Sequence, residues 1–230
     1  MNHLIYCVDD DAPIRELLEA NLKREGFRVR AFADADGLLL ALKDQLPDLF
    51  LLDWMLPGMD GLELCRTLRQ MENTQSIPII MLTAKDQEVD MILGIEMGAD
   101  DYISKPFSMR ELTTRIKAIF RRVHRLENAS GGAMLRLGEI YMDPGARRVT
   151  VDGEPITLTL KEFELLKMLL SSKGMVLTRD LLLETVWGYD YNGGTRTVDV
   201  HIMQLRKRLG AAERYIETVR GVGYRMSGAV

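Results

Sequence analysis

The stretch Leu49-Phe50-Leu51-Leu52-Asp53 places one carboxylate at the end of a short run of large apolar residues. Such a run, followed by the turn-like sequence Trp54-Met55-Leu56-Pro57-Gly58, is typical of a buried inner strand of an α/β sheet. Ligands of open α/β sheets bind outside the carboxyl ends of the strands, which is where Asp53 is predicted to lie. Asp53 is therefore the first candidate functional residue.

The first half of the chain alternates between strand-like and helix-like patterns. Asp11 with Pro13 marks one helix start. Asp60 and Ser108 mark two more, and each of these two is followed three residues later by a glutamate. Five βα units predict an α/β domain over residues 1–122, with a doubly wound, flavodoxin-like parallel sheet covered by helices on both faces. The predicted strands cover residues 4–8, 28–32, 48–53, 77–82 and 100–104.

The second half has a different pattern. Residues 123–133 are predicted to form a linker, because they include the segment Glu127-Asn-Ala-Ser-Gly-Gly132. Short antiparallel strands are then predicted over residues 134–158, with turns at Asp143-Pro-Gly and Asp152-Gly. Three helices follow, one from Thr159, one over 179–187 and one over 195–209, and residues 215–226 predict two strands around a glycine-containing turn. This order predicts an α+β winged helix over residues 134–230.

Composition limits the class of protein. The chain has 230 residues, of which 47% are hydrophobic and 28% charged, as in a soluble globular protein. We expect a cytoplasmic protein without membrane contact, since no apolar stretch reaches the ~18 residues of a membrane-spanning helix and no basic region precedes the first strand. The two cysteines, Cys7 and Cys65, lie in apolar patterns and are expected to be buried thiols.

Charge is distributed unevenly along the chain. Residues 1–122 carry 15 basic and 21 acidic side chains, a net charge of −6, whereas residues 123–230 carry 15 and 13, a net charge of +2. Within residues 194–225, seven basic side chains stand against three acidic ones. An acidic half joined to a half with a local basic surface indicates two separate tasks.

A second apolar run, Leu4–Val8, ends in an acidic sequence that includes Asp9 and Asp10. If the two apolar runs form neighbouring strands, these carboxylates converge with Asp53, and each raises the pKa of the others unless a cation is bound. Oxygen ligands of this kind suit Mg²⁺. We expect Asp10 and Asp53 to bind Mg²⁺ directly together with the backbone carbonyl of Met55, and Asp9 to act directly or through water.

Polar residues also follow two later strands. Thr83 follows Ile79–Leu82, and Lys105 follows Asp101–Ser104. A metal ion beside a carboxylate suggests phosphoryl chemistry, in which Asp53 is the nucleophile, Lys105 neutralises charge on the phosphoryl oxygens, and the Thr83 hydroxyl donates to one of them. Singly, each of these residues is more typical of a helix cap or a surface side chain, but their combination favours one reactive site.

Four motifs carry a resemblance to a known family. They are Val8-Asp9-Asp10-Asp11, Leu52-Asp53-x-Met55-Leu56-Pro57-Gly58-x-Asp60-Gly61, Met81-Leu82-Thr83-Ala84, and Gly98-Ala99-Asp100-Asp101-Tyr102-x-x-Lys105-Pro106-Phe107. The first half resembles the receiver domain of two-component response regulators. The second half resembles the winged-helix effector domain of the OmpR/PhoB type, so that the resemblance covers nearly the whole chain.

The resemblance implies a function and its partners. A sensor histidine kinase would transfer a phosphoryl group to Asp53 with Mg²⁺ required, and the receiver would take part in autodephosphorylation without being an enzyme in its own right. Phosphorylation would promote homodimerisation and sequence-specific binding to double-stranded DNA with tandem or repeated half-sites, where the protein would regulate transcription by RNA polymerase. A cis bond between Lys105 and Pro106 is also implied, which X-Pro bonds permit.

The resemblance further implies a switch and a dimer interface. In the family, an aromatic residue at the position of Tyr102 swings inward when the threonine at the position of Thr83 moves toward the phosphate. Two receivers then pair through the fourth helix, fifth strand and fifth helix. Met91 stands where related proteins often carry a basic partner, so one ion pair of that interface is expected to be missing. Matching interface positions in this chain are Glu96, Asp101, Glu111, Arg115 and Lys117.

The predicted helix over 195–209 is the candidate recognition helix for DNA. Its core face is expected to consist of Val198, Ile202, Leu205 and Leu209, and its other side chains are expected to face solvent and enter the major groove. In the final hairpin, Arg220 is expected to reach the minor groove as the tip of the wing. Groove chemistry and the resemblance predict these DNA-binding residues on the helix: Arg196, Thr197, Val200, His201, Met203, Gln204, Arg206 and Arg208.

Three rival functions compete with this one. A phosphatase with an aspartyl nucleophile also uses Asp, Thr, Lys and Mg²⁺, but it usually has a second Asp two residues after the nucleophile, where this chain has Met55. A DNA-binding protein whose receiver serves only for dimerisation is disfavoured by the intact set of Asp53, Thr83 and Lys105. Flavin binding is disfavoured because no Ser/Thr- or Gly-rich phosphate loop follows the first strand.

Overall fold

The structure is a computed structural model that describes residues 3–83, 97–128, 133–172, 174–188 and 194–228, with the side chains of residues 122–128 left undescribed. The chain forms two compact units, Met1–Ile119 and Phe120–Val230. The predicted domain boundaries at residues 122 and 134, and the linker between them, stay predictions. None of the described helices has the length and apolar character needed to cross a membrane.

The first unit contains a five-stranded sheet in the order β2-β1-β3-β4-β5. All neighbouring strands in it are parallel, which confirms the predicted flavodoxin-like receiver fold. β1, β3 and β4 are fully buried along their length because helices cover both faces of the sheet. The strands are β1 Leu4–Val8, β2 Arg28–Phe32, β3 Leu49–Asp53, β4 Ile79–Thr83 and β5 Asp101–Ser104.

Four described helices begin in the first unit, and the three predicted start signals lie at the N-termini of three of them. The side chain of Asp11 accepts a hydrogen bond from the Ile14 backbone, and Asp60 and Ser108 accept from the residues three positions on. These caps satisfy backbone N–H groups that a helix leaves free in its first turn. The helices are α1 Ala12–Arg24, α2 Ala35–Ala41, α3 Gly61–Gln70 and α4 Met109–Asn128.

Residues 84–96, between β4 and β5, lie outside the described part of the chain. The predicted fourth helix of the receiver falls in this region, as do Glu96 and Met91. The structure therefore does not test the interface contact assigned to Glu96 or the ion pair expected to be missing at Met91.

The second unit has the predicted order of strands, three helices and a final hairpin. Its first sheet is antiparallel, in the order β6-β7-β8-β9, and a capping box between Thr159 and Glu162 starts the first helix. The strands are β6 Leu135–Leu137, β7 Ile140–Asp143, β8 Arg148–Val151 and β9 Glu154–Ile156, and the helices are α5 Leu160–Ser171, α6 Arg179–Val186 and α7 Arg196–Leu209.

The closing hairpin belongs to a second, three-stranded sheet that the sequence did not indicate. A 3-10 helix, Gly210–Tyr215, leads from α7 into β11 Ile216–Val219, and β12 Gly223–Met226 returns antiparallel to it. The short strand β10 Leu177–Thr178, just before α6, pairs with the other edge of β12. β12 is thus the central strand, and it ties the hairpin to the start of α6.

Candidate functional site

Three carboxylates meet at one edge of the receiver sheet. Asp9 and Asp10 follow β1, Asp53 ends β3, and β1 and β3 are neighbouring parallel strands. One ligand atom from each of these residues lies within 4.8 Å of the other two. Asp9 and Asp53 are buried, whereas Asp10 is exposed. Neighbouring parallel strands end at the same edge of a sheet, so the position of each aspartate at a strand end brings the three together.

Lys105 joins this cluster from the end of β5. Its Nζ lies 2.7 Å from Oδ2 of Asp9 and 3.1 Å from Oδ2 of Asp53. The Lys105-Pro106 peptide bond is cis, as the family resemblance implied. One lysine therefore bridges two of the three clustered carboxylates.

Asp9 is held at three different points. Its Oδ1 accepts a hydrogen bond from the backbone N–H of Asp11, and its Oδ2 accepts from Lys105. Its backbone carbonyl accepts from Nη1 of Arg15 at 2.7 Å. Arg15 was missed at the level of sequence, because a basic residue in the first turns of a surface helix carries no distinctive signal. The contacts hold the buried Asp9 in one orientation.

The surroundings of Asp53 change the pKa of its carboxyl. Burial raises the pKa of its carboxyl, the hydrogen bond and charge of Lys105 lower it, and the charges of Asp9 and Asp10 raise it again, with a net upward shift. Burial disfavours the charge of Lys105, but hydrogen bonds to Asp9 and Asp53 raise its pKa overall. The site thus holds more negative charge than one lysine offsets.

The loop after β3 folds back onto the strand end. The backbone N–H of Gly61 donates to the carbonyl of Trp54 at 2.9 Å, and a Cβ added at Gly61 would lie 1.9 Å from the carbonyl oxygen of Asp53. Only glycine permits this approach. Met55 lies in the loop and is 57% exposed, and the metal contact predicted for its carbonyl stays a prediction.

Thr83 and Tyr102, the predicted switch residues, lie on the neighbouring strands β4 and β5. Thr83 is buried at the end of β4, and its backbone carbonyl accepts a hydrogen bond from the N–H of Lys105. Tyr102 is half-buried and packs against the core of the receiver. These positions are compatible with the predicted switch, which stays a prediction.

The donor set of the site fits a hard divalent cation. Its clustered side-chain ligands are carboxylate oxygens from Asp9, Asp10 and Asp53. Mg²⁺ prefers oxygen ligands and is usually bound through one or two carboxylates while keeping several waters. The exposed Asp10 leaves one side of the cluster open to solvent, where water and a phosphate could complete such a shell.

The surface of α7 is the second candidate site. Arg196 and Arg208 are exposed, and Met203 and Gln204 are partly exposed. These side chains can contact phosphates and base edges, as predicted for a recognition helix. Arg220 is exposed in the turn between β11 and β12, at the position of a wing tip.

The prediction that Thr197, Val200 and His201 face solvent is wrong. These residues are buried, with 1%, 6% and 2% of their surface exposed. His201 Nδ1 lies 2.9 Å from the carbonyl oxygen of Thr197, and the His201 ring packs edge-on against Trp187 with 4.9 Å between centroids. Trp187, at the C-terminal end of α6, therefore covers the His201 side of α7. The hydrophobic spacing along α7 predicted one buried face. It did not predict the burial of these three residues, because the helix is packed on a second side as well.

Arg206 is directed at the hairpin in this structure. Its Nη2 donates to the carbonyl of Ile216 and to Oγ1 of Thr218, both at 2.8 Å. The side chain thus ties α7 to β11. A contact between Arg206 and DNA stays a prediction, and any such contact would share the guanidinium with these two acceptors.

Comparisons with known proteins place the chain in a family. A family model of the response regulator receiver domain matches residues 5–117, and a model of the C terminal of transcriptional regulatory proteins matches residues 153–226. Two solved structures match over 99% of this chain and 100% of theirs: a mutant of RitR (30% identity, TM-score 0.80) and DrrB, a Thermotoga maritima OmpR/PhoB homologue (32% identity, TM-score 0.52).

The chain is a response regulator of the OmpR/PhoB family. The combination of a receiver with a DNA-binding effector domain makes it a transcriptional regulator. A further solved structure, described as belonging to a family of redox sensors in the streptococci that evolved from response regulators, matches at 29% identity with a TM-score of 0.51 and covers 99% of this chain and 100% of that one.

In this response regulator, the described interface candidates are engaged within the chain. Arg115 donates to both carboxylate oxygens of Asp101 and lies 3.0 Å from Oε1 of Glu111, and Lys117 lies 2.6 Å from Oε2 of Glu25, the residue that follows α1. A receiver dimer that used Arg115 or Lys117 would therefore share or exchange these partners. Their role in an interface stays a prediction.

The receiver of this regulator also contains a buried ion pair that the sequence did not indicate. Nη2 of Arg69, on α3, lies 2.7 Å from Oδ2 of Asp100, and both side chains are almost fully buried. The other N–H groups of Arg69 donate to the carbonyls of Gly98, Gln75 and Ile77 at 2.7, 2.9 and 2.6 Å. Arg69 thus joins α3 to the segments that lead into β4 and β5, the strands that carry Thr83 and Lys105.

Proposed function

We propose that a sensor histidine kinase phosphorylates Asp53 and that the phosphorylated receiver promotes binding of the effector unit to specific DNA. The observation that carries the proposal is the convergence of Asp9, Asp10 and Asp53 with the ammonium group of Lys105 at one sheet edge. An acidic cluster with a single built-in cation is suited to accept a second, divalent cation and a phosphoryl group.

The proposed transfer exchanges one bond to phosphorus for another. An oxygen of Asp53 attacks phosphorus, the bond between phosphorus and the kinase histidine nitrogen breaks, and the histidine leaves as a neutral imidazole after taking up a proton. Asp10 and Asp53, with Asp9 directly or through water, would hold Mg²⁺, which neutralises charge on the phosphoryl oxygens when bound. Lys105 adds a fixed positive charge, and the Thr83 hydroxyl donates to one phosphoryl oxygen. The receiver would return the phosphoryl group to water slowly by autodephosphorylation.

From the phosphate, we propose the path to DNA that the family resemblance implies. Thr83 moves toward the phosphoryl oxygens and Tyr102 turns inward, which biases the receiver toward a homodimer. The dimer binds repeated half-sites through the two effector units and acts on RNA polymerase. Within each unit, Arg196 and Arg208 on α7 and Arg220 in the hairpin contact phosphates, while Met203 and Gln204 contact bases.

Rival functions lack support in the described residues. A redox sensor of the kind named for the streptococcal relative needs a reactive thiol, but Cys7 and Cys65 are buried, and burial raises the pKa of both thiols, that of Cys65 to about 12. A phosphatase would need an acid–base group at Met55, whose thioether cannot transfer a proton.

Two measurements together test the proposal. First, the chain is incubated with radiolabelled acetyl phosphate with and without Mg²⁺, and we expect label only with Mg²⁺. Second, DNA fragments bound by the chain are selected from a random pool before and after this treatment, and we expect enrichment of a repeated motif, stronger after it. Labelling without Mg²⁺, or equal enrichment in both states, would contradict the phosphorylation switch.

A further inference from the structure

Four side chains of the effector unit form a compact group that we name the Tyr224 cluster. It consists of Tyr224 on β12, Asp199 and Arg206 on α7, and Arg179 at the start of α6. Oδ1 of Asp199 accepts two hydrogen bonds, from the Tyr224 hydroxyl at 2.6 Å and from Nε of Arg179 at 2.7 Å. One carboxylate oxygen of Asp199 therefore joins α7 to α6 and to the hairpin.

The aromatic ring of Tyr224 is the centre of the cluster. Tyr224 is buried, and the guanidinium carbons of Arg179 and Arg206 lie 4.9 and 5.7 Å from its ring centroid, within the range of cation–π attraction. Burial and the hydrogen bond to Asp199 raise the pKa of Tyr224 to about 12, so the hydroxyl remains a proton donor at physiological pH. The hydroxyl can therefore donate to Asp199 under physiological conditions.

The cluster fixes the hairpin against one face of α7. Asp199 and Arg206 are seven residues apart, which places them on the same side of a helix. Tyr224 is paired with Thr218 across the hairpin, and Arg206 donates to Oγ1 of that same Thr218. The two contacts tie α7 to both strands, and the turn between those strands carries Arg220. The position of Arg220 relative to α7 thus depends on these contacts.

We propose that the hydrogen bond from Tyr224 to Asp199 is a positioning contact that sets the spacing between the exposed residues of α7 and the hairpin tip at Arg220, and so sets the selectivity for a DNA sequence. This inference rests on the proposed DNA-binding function. Two elements can read one duplex in register only if their separation is fixed. The negative charge of Asp199 opposes DNA binding in general, so a role in positioning explains why it lies among arginines on this surface.

The test compares two duplexes: the one selected by the wild-type chain and a scrambled duplex of equal length. Dissociation constants of the full, acetyl-phosphate-treated chain are measured for both over a range of salt. Tyr224→Phe should lower the affinity for the selected duplex by about tenfold, the factor that one hydrogen bond to a charged group is worth. Affinity for the scrambled duplex and the salt slope should be unchanged. Tyr141→Phe, which removes a tyrosine hydroxyl from the exposed residue on β7, is the matched control.

A second pair of variants isolates the acceptor from its charge. Asp199→Asn and Asp199→Ala lose the same negative charge, so both should bind the scrambled duplex more tightly than the wild type. Only asparagine keeps an oxygen that can accept from Tyr224, so Asp199→Asn should retain more discrimination between the duplexes. Equal discrimination by both, or an equal loss on both duplexes for Tyr224→Phe, would overturn the inference. If the wild type enriches no sequence, the DNA-binding function itself is refuted.

Discussion

Nζ of Lys105 lies 2.7 Å from Oδ2 of Asp9, so the lysine that follows β5 pairs with an acid that follows β1. The same ammonium group lies 3.1 Å from Oδ2 of Asp53. A divalent cation bound to this cluster would take ligands from two aspartates that also pair with Lys105. Lysine and metal therefore compete for the same carboxylates, although both favour a bound phosphate.

Replacement of Lys105 by methionine should strengthen the binding of Mg²⁺. The change removes a positive charge that both repels the metal and pairs with its ligands. A unit charge at 4 Å interacts by about 1 kcal/mol even in bulk water and a divalent ion by twice that, so we expect an increase in affinity of about tenfold or more. Isothermal titration calorimetry at pH 7 measures it. Lys117→Met, which removes a lysine from the exposed surface of α4, should leave the affinity unchanged. Weaker binding by Lys105→Met would show that the lysine mainly positions the carboxylates.

Asp53→Asn should abolish labelling by acetyl phosphate. The amide oxygen of asparagine is a poor nucleophile. The other two acids of the cluster, Asp9 and Asp10, follow β1 and do not occupy the position of Asp53 at the end of β3. Asp60→Asn is a close control, because it changes an exposed aspartate of the following loop to a residue that also caps helices well. Retention of label on Asp53→Asn, located by mass spectrometry of tryptic peptides, would move the phosphorylation site elsewhere.

The pKa of Asp53 predicts how Mg²⁺ and pH affect stability. Because burial raises this pKa in the folded state, the folded chain binds the proton more tightly than the unfolded chain. The free energy of unfolding therefore falls as pH rises from the ordinary aspartate value through the raised one, and the loss is complete above it. At pH 7 without Mg²⁺, Asp53→Asn should melt at a higher temperature than the wild type.

The same comparison has two internal controls. Lowering the pH toward the ordinary aspartate value should remove the advantage of Asp53→Asn, since the wild-type carboxyl is then also neutral. Saturating Mg²⁺ should reverse the order, because the metal stabilises only the state that binds it. Calorimetric melting curves of the wild type and Asp53→Asn, recorded at two pH values with and without Mg²⁺, measure these differences in melting temperature. An advantage of the variant that does not depend on pH would contradict the electrostatic explanation.

Arg69→Met should destabilise the receiver strongly. Asp100 is fully buried, so the variant removes a positive charge that lies against a buried carboxylate, and breaking a buried ion pair in this way typically costs about 3–5 kcal/mol. Arg66→Met, on an exposed position of the same helix, should change stability by less than about 0.5 kcal/mol. Urea unfolding of the two variants gives the comparison, and equal losses would mean that the buried pair contributes little.

The exposed residues of α7 should divide into two classes. Arg208→Ala should weaken binding to all DNA sequences and reduce the salt slope by about one, as expected for a phosphate contact. Gln204→Ala should change base preference at one position of each half-site and leave the salt slope unchanged. Selection from a random DNA pool and salt titrations separate the two effects, and the reverse pattern would overturn the proposed orientation of α7. Arg206 is a poorer choice for this test because its loss would also loosen the hairpin.

Sequence reasoning succeeded where a residue's position follows from its place on a strand. Asp9, Asp53 and Lys105 each come at or directly after the carboxyl end of a strand in the parallel sheet, and Thr83 ends β4. Their convergence was predictable because parallel strands place all their carboxyl ends at one edge of the sheet. The same reasoning erred on α7, since hydrophobic spacing along one helix does not show that Trp187, from another element, covers a second side.

The sequence by itself determined the two-part architecture, the order of the elements and the strand ends at which the acidic site lies, because these depend on local periodicity and on the few ways in which βα units connect. Only the tertiary structure decided which partner each polar side chain has. Asp199 and Tyr224 are 25 positions apart, and Arg69 and Asp100 are 31 apart. Such pairs form between side chains whose spacing along the chain carries no period, so they exist only once packing has brought distant segments together.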